Sequence, residues 1–481
     1  MNTAFLHGNR ALAGLLLLAV GGCAVGPNYQ KPPTTDVPAT YAPETNIWKV
    51  AVPQAHLPKG NWWELFGDAE LNRLEAEAAS ANQKVKAAVA AFDQARAALD
   101  ISRAGLFPHA TLAPSATRER DSANRPINGV STGKPDTFNT FALPLDFSYE
   151  LDVWGRVRRG VEAARATLAA QADDLETIRL AIQAEVAADY FTLHALDNEL
   201  DLLRSNVEVF SKSLELTRNR RAGGVATDLD VSQAETILRT TQSQLPVITL
   251  QRRQTEHALA VLTGHPAPGF HATERPLTLI APILPAGVPS ELLERRPDIA
   301  AAERRMAAAN ASIGIARAAF YPAIRLNGVV GLQSVSASSL FDWPSRMWSV
   351  GPAITLPIFQ GGQNRAALRQ AEAAYDEVTA NYRQTVLVAF GQVEDSLSAQ
   401  TLLAAEVEAQ SAAVQSARKT LEVASNRYRA GLVTYLEVAT AQSAALDLER
   451  TAVRLRGEQL LATVSLVKSL GGGWPVAPTP P

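Results

Sequence analysis

Apolar residues fall at Leu193, Leu196, Leu200, Leu203, Val207, Phe210 and Leu214, three and four apart in alternation. That spacing is the seam of a coiled coil, an apolar stripe along a long helix. Leu403, Val407, Val414, Ala417 and Leu421 hold the same register farther along, with Gln410 in the stripe. Between 156 and 222 there is no proline and only Gly160 interrupts. The pattern predicts a helix of about 65 residues, roughly 100 Å long at 1.5 Å per residue. Gly224 and Gly431 end the outgoing arms, and Thr227 and Thr434 stand where caps for the returning arms are needed. Pro246 is expected to kink the first returning arm. The chain thus carries two helical hairpins, about 156–262 and about 363–470.

Elsewhere the period changes to two. Phe141, Leu143, Leu145, Phe147, Tyr149 and Leu151 alternate with Ala142, Pro144, Asp146, Ser148, Glu150 and Asp152. Ile324, Leu326, Val330 and Leu332 alternate with Arg325, Asn327, Gly331 and Gln333. Trp348, Val350, Ile354, Leu356 and Ile358 alternate with smaller or polar residues. Strands are predicted at about 109–118, 138–152, 323–333 and 347–359, and the polar segments 118–137 and 334–346 read as exposed loops. One apolar and one polar face fit a sandwich edge or the wall of a membrane barrel. In a barrel, Phe141, Leu143, Leu145, Phe147, Ile354 and Leu356 would face lipid. Asp146, Ser148 and Glu150 would then face the lumen.

The order of elements occurs twice. The segment 99–108 (LDISRAGLFP) matches 313–322 (IGIARAAFYP), 214 positions later. Asn219, Arg220, Gly224, Thr227, Leu229, Asp230 and Val231 match Asn426, Arg427, Gly431, Thr434, Leu436, Glu437 and Val438 at an offset of 207. The halves span 61–265 and 288–472, joined by a Pro-rich connector, 266–287. An extended lead, 23–60, precedes them and a tail, 473–481, follows. Each half reads helix (69–106, 297–320), two strands, then hairpin. Four strands per chain cannot close a membrane barrel, since single-chain barrels begin at about eight. Open edges in lipid leave backbone groups unsatisfied, so a barrel must be shared. Three copies supply 12 strands, whereas two would leave little lumen.

Composition narrows the setting. Net charge is −3 with a pI near 6.2, and nothing suggests a nucleic-acid partner. Past residue 23 no run of 18 apolar residues appears, which excludes a transmembrane helix there. The only cysteine, Cys23, follows Arg10, the apolar run 11–20 and the small pair Gly21 and Gly22. That is a secretory signal over 1–22. Val20 to Cys23 also resembles a bacterial lipobox, which implies a lipidated Cys23 as the mature first residue. Ala24 in place of an aspartate favours outer-membrane sorting by the same resemblance.

The mature start CAVGPNY (23–29), the run LLERRPDI (292–299), the segment 313–322 and RYRAG (427–431) together resemble the OprM/NodT lipoproteins among the TolC-type outer-membrane factors. The resemblance spans the mature chain with both repeats. It implies a mixed, mainly α fold and a homotrimer whose shared 12-stranded outer-membrane β-barrel continues into a long periplasmic α-helical barrel. The implied function is the outer-membrane channel of a tripartite, RND-type efflux system. Its partners would be a periplasmic adaptor (membrane fusion protein), an inner-membrane transporter and outer-membrane lipid. The hairpin tips, with Gly224, Thr227, Gly431 and Thr434, would then meet the adaptor. In the family a tyrosine before the second tip glycine latches to an aspartate after the first. The matching positions are Tyr428 and Asp230. Glu437 matches an acidic ring at the mouth, while Thr440 stands where relatives carry a second acid. Arg427 is a candidate bridge between helices.

No P-loop, G-x-G-x-x-G, H-E-x-x-H or G-x-S-x-G occurs, so no enzyme, cofactor or metal is expected. His194 reads as a helix-face residue beside the seam and His109 as a residue without a partner. The pair Asp173 and Asp174 reads as part of a solvated face, and the glycines at 471–473 as a helix stop. The competing reading is a pore-less periplasmic coiled-coil adaptor or scaffold lipoprotein, which would not need the duplicated strands. A passive duct does not need to recognise its cargo, and the exported compound has no signature here.

Overall fold

The computed structural model describes residues 24–30, 60–124, 126–127, 130–131, 137–276, 282 and 295–472. Cys23, much of the connector and the tail lie outside them. The described chain divides into two compact units, one built on Phe92–Ala170 and Ala302–Tyr382 with 24–30, the other on Gln171–Ala301 and Arg383–Pro481 with Thr34–Ala91.

The first unit holds the sheet. Strands β1 (His109–Leu112), β2 (Ser115–Arg120), β5 (Thr137–Leu151), β6 (Ala323–Ser334) and β7 (Arg346–Thr355) form one antiparallel ribbon, with a small hairpin of β3 (Pro126–Ile127) and β4 (Val130–Ser131) beside it. β1 and β2 both pair with β5 in one register, Leu112 opposite Leu145 and Ser115 opposite Ala142. They are one strand interrupted at Ala113 and Pro114, because proline has no N–H to give the ladder. The ribbon is therefore four strands wide, ordered (β1, β2)–β5–β6–β7. Gly331 lets β5 and β6 approach, since a Cβ there would lie 2.3 Å from the Leu143 carbonyl oxygen.

The last strand is shorter than the alternation predicts. β6 begins at Ala323, opposite Thr355, so Leu356 and Ile358 have no ladder to join and fall outside the strand. The helix expected over 69–106 is likewise two, α1 (Ala69–Ala81) and α2 (Gln83–Ala104). Asn82 separates them with ψ 128°. Its carboxamide oxygen accepts from the Lys84 and Val85 N–H groups at 2.9 and 3.2 Å. Its Nδ2 donates to the Leu262 carbonyl at 2.8 Å.

The second unit holds most of the hairpins, α3 (Arg156–Ala222) with α4 (Asp228–Leu262) and α6 (Gln363–Arg429) with α7 (Tyr435–Ser469); α5 (Pro297–Ala318) opens the second repeat. α4 passes through Pro246 without ending. Leu200, Leu203, Phe210 and Leu214 of the α3 seam share one buried cluster with Leu238 and Ile248 of α4 and Tyr435, Val438 and Leu446 of α7. Each such side chain contributes about 1.5–3 kcal/mol on burial. The α6 seam is shallower, with Val414 buried and Leu403, Val407, Ala417 and Leu421 half-buried.

His194 is buried rather than on an exposed helix face, with Nδ1 3.0 Å from Asp197 Oδ2. Asp197 also accepts from Arg252 Nε at 2.5 Å and the Arg275 N–H at 3.2 Å. Asp68 caps α1 and takes the Tyr190 hydroxyl and the Arg275 guanidinium, both at 2.7 Å. Burial would raise both carboxyls, but these donors outweigh it and hold Asp68 and Asp197 below the usual carboxylate range. The two acids thus fasten residue 275 onto α1 and α3. Asp173 and Asp174 are half-buried rather than solvated.

Candidate functional site

The polar and apolar faces of the ribbon follow from strand register. Residues directly opposite share a face, so Leu112, Leu145, Val330 and Trp348 form one apolar row, and Ala110, Phe147, Gly328 and Val350 the next. Trp348 is 76% exposed, Val350 66% and Ile354 67%, an apolar surface with no protein over it. The other face carries Asp146, Ser148 and Glu150 with Thr111, His109, Asn327 and Arg325. Ser148 and Asn327 lie 3.1 Å apart. Glu150 takes a two-point bond from Arg156, at 2.7 and 2.9 Å, and lies 3.8 Å from Arg325. Sequence alternation placed Glu150 among the polar residues but carried no sign of its two cations.

At the corner between β5 and α3 sits the segment 24–30. The Val25 N–H donates to the Trp154 carbonyl at 2.9 Å. Asn28 accepts from Arg159 at 2.8 Å, and Asn310 donates to the Pro27 carbonyl at 3.0 Å. Gly155 (φ 79°) leaves room for Ala24, whose Cα would be 2.8 Å from a Cβ there. Trp154 stacks on Tyr321, at the helix-to-strand corner that leads into β6, with centroids 4.7 Å apart.

The two hairpin turns are built alike. Gly224 and Gly431 adopt φ 75° and 74°, the left-handed conformation that closes a helix. The Val225 N–H reaches back to the Arg220 carbonyl at 2.8 Å, and the Leu432 N–H to the Arg427 carbonyl at 2.9 Å. Their caps differ. Thr227 and Asp230 form a reciprocal capping box, whereas Thr434 stands at the N-cap without a side-chain bond. Glu437, which could have completed the second box, is instead 3.5 Å from Arg427 near the end of α6.

Tyr428 and Asp230 are both buried but do not meet within the protomer. Asp230 is occupied by the Thr227 N–H and hydroxyl at 2.8 Å and by the Tyr435 N–H at 3.2 Å. Burial would raise its carboxyl, and those hydrogen bonds with the Arg220 charge hold it below the ordinary range. The Tyr428 hydroxyl donates to Thr217 at 3.4 Å, under the Arg220 guanidinium 4.7 Å from the ring centre. Tyr435, which sequence reasoning missed, packs edge-on against Tyr428 at 5.4 Å and bonds Ser213 and Gln442 at 3.1 and 3.0 Å. At the repeat offset it replaces Asp228, and that break in the duplication was the available signal. Around these turns Val225, Leu229, Leu432 and Leu436 are 55–70% exposed. Among the described residues no group of acids, histidines or cysteines could hold a metal.

A sheet apolar on its bare face and long paired hairpins, both duplicated, define a channel subunit of the outer membrane, and the chain belongs to the outer membrane efflux protein family, whose model matches 74–265 and again 288–472. It is 35% identical over 471 residues to outer membrane protein OprJ of Pseudomonas aeruginosa, covering 96% of this chain and 95% of that one. Its fold superimposes on the outer-membrane channel OprN with a TM-score of 0.85, at 31% identity over 94% of this chain and all of that one. The open-state MtrE channel of Neisseria gonorrhoeae gives 0.81, at 29% identity over 94% and 98%. The protein is an outer-membrane efflux component with the mainly α, TolC-like fold. The pore-less adaptor reading is set aside.

Proposed function

We propose that three copies close a 12-stranded barrel by pairing β7 of one protomer with the β1–β2 edge of the next, and that the hairpins form a passive gated duct through the periplasm. The observation that carries this is the four-stranded ribbon, bare on its apolar face and, among the described residues, unpaired at both edges. An unpaired edge in lipid is prohibitive. The duct would serve a tripartite, RND-type system with a periplasmic adaptor at the tips and an inner-membrane transporter below, exporting small molecules. Single-channel recording of the purified protein in a planar bilayer tests the reading. A trimer giving discrete conductance steps supports it, and a monodisperse monomer without conductance refutes it.

Lipidation of Cys23 belongs to the same proposal. Ala24 against Gly155, at the strand-to-helix corner with Trp154 and Tyr321, supports an anchor at the periplasmic leaflet, because amphipathic rings favour that level. Two or more acyl chains give stable anchoring where one is marginal. Mass spectrometry of the mature N-terminus should find Cys23 acylated.

The gate is placed at the tips, with Tyr428, Asp230, Glu437 and Arg427. Since Asp230 already ties the Thr227 cap to the Tyr435 N–H, we assign it to holding the two turns together rather than to a direct bond with Tyr428. Three Glu437 carboxylates at the mouth would favour cations, each tempered by its Arg427.

A further inference from the structure

The bare face of the ribbon is not apolar to its end. Leu151 and Ile324 lie at the row nearest the helices, and Phe141, opposite Ala116 and Ser334, at the row nearest the loops. From Leu151 to Phe141 are ten steps of about 3.4 Å, which a tilt of about 35–45° turns into a height of about 24–28 Å. The apolar band of an outer-membrane barrel is about 25 Å tall. The next rows on the same face are Arg118, opposite Asn139, and Arg120, opposite Thr137. Both arginines are exposed. On β7 the last residue of this face is Arg346, where the strand ends opposite Leu332 in the row of Leu143. Its Nε donates to the Trp343 carbonyl at 2.9 Å and its guanidinium lies over the Trp343 ring. Phe341 and Trp343 beside it are each 75% exposed. The α-helices α2, α3, α5 and α6 all adjoin the ribbon at the opposite end, so this rim is the loop end.

We infer that Arg118, Arg120 and Arg346 form a binding site for the phosphates of the glycolipid in the outer leaflet, with Trp343 and Phe341 seated among its upper acyl carbons. The inference rests on the barrel proposed above. Three guanidiniums on the lipid side of a rim are costly unless a headgroup meets them, and arginine's planar fork matches phosphate. Aromatic rings settle where one side is wet and the other apolar. Glu119, between Arg118 and Arg120, points to the other face and leaves the lipid side cationic. With β7 set beside the next protomer's β1–β2 edge, Arg346 and the Arg118–Arg120 pair would flank each seam, giving three equivalent sites.

The test is native mass spectrometry of the detergent-purified full-length trimer titrated with bis-phosphorylated lipid A. The parent should retain up to about three per trimer, with retention falling as salt rises. The combined variant Arg118→Gln, Arg120→Gln, Arg346→Gln should bind at least about tenfold more weakly. Arg418→Gln, which removes one such charge from a helix, should bind as the parent does. Dephosphorylated lipid A, which leaves the protein untouched, should be lost to the same degree. Equal retention of dephosphorylated lipid or of phosphatidylglycerol, or undiminished binding by the combined variant, overturns the inference. Conductance of the same preparations separates the two failures, since trimers that conduct normally while ignoring lipid A sink only this site.

Discussion

Thr227 and Thr434 occupy equivalent positions, each followed three residues on by an acid, yet one cap closes and the other does not. Thr227→Ala should cost about 1 kcal/mol and speed amide exchange in the first turn of α4. Thr434→Ala should leave the first turn of α7 unchanged, as hydrogen-exchange mass spectrometry would read. Sequence spacing does not tell the two apart, because Arg220 and Arg427 each stand seven positions before the cap and only Arg427 pairs with the acid that follows it. Glu75 was invisible for a similar reason. It is fully buried with neither carboxyl oxygen bonded, and desolvation pushes it up to about 9. A raised carboxyl holds its proton in the folded state only, so its contribution is greatest below about pH 4.3 and is lost as pH climbs toward 9. Glu75→Gln should therefore raise the melting temperature at pH 8 more than at pH 5. An equal shift at both would show that Glu75 finds a partner in the assembled protein.

At the scale of elements, the alternation of β5 fixes what each face tolerates. Arginine at Leu145 should cost about 2–4 kcal/mol if that row lies near the bilayer centre, seen as loss of heat-resistant trimer on a gel. Arginine at Asp146 should leave the trimer intact and shift ion preference. Glu150→Gln should also shift reversal potentials toward anions, because Arg156 and Arg325 lose the acid that offsets them. Periodicity of two and the three-four seam were legible because each is written by the solvent or core along a whole element. The break at Asn82 and the early end of β7 were not. The first depends on a carboxamide serving both Lys84 and Leu262, and the second on where β6 happens to start.

For the whole molecule, the proposed place where an adaptor engages is the pair of duplicated turns. Gly224 and Gly431 hold φ near 75°, which a side chain resists by about 1–2 kcal/mol. Their surroundings are otherwise open, with nothing within 4 Å of a Cβ at Gly224 and only the Arg220 guanidinium, at 3.7 Å, at Gly431. Tryptophan at both should abolish efflux in cells while trimers form and conduct normally. Retained efflux would move the adaptor's contact off the tips. Duplication, hairpin order and family resemblance were legible from end to end. The link from Asp230 to the Tyr435 N–H was not, because the two residues are 205 apart in the chain.

The two edges of the ribbon, unpaired among the described residues, would also set the tempo of biogenesis. In the proposed three-copy barrel a lone protomer could not enter lipid with its β1–β2 and β7 edges bare, so insertion would wait for two encounters with other copies and slow steeply as the chain becomes scarce. A lipidated Cys23 would confine the waiting copies to one leaflet, turning a search through the periplasmic volume into a search over a surface. Loss of the anchor should then show first as delay, with trimers appearing late at low expression and on time when the chain is abundant.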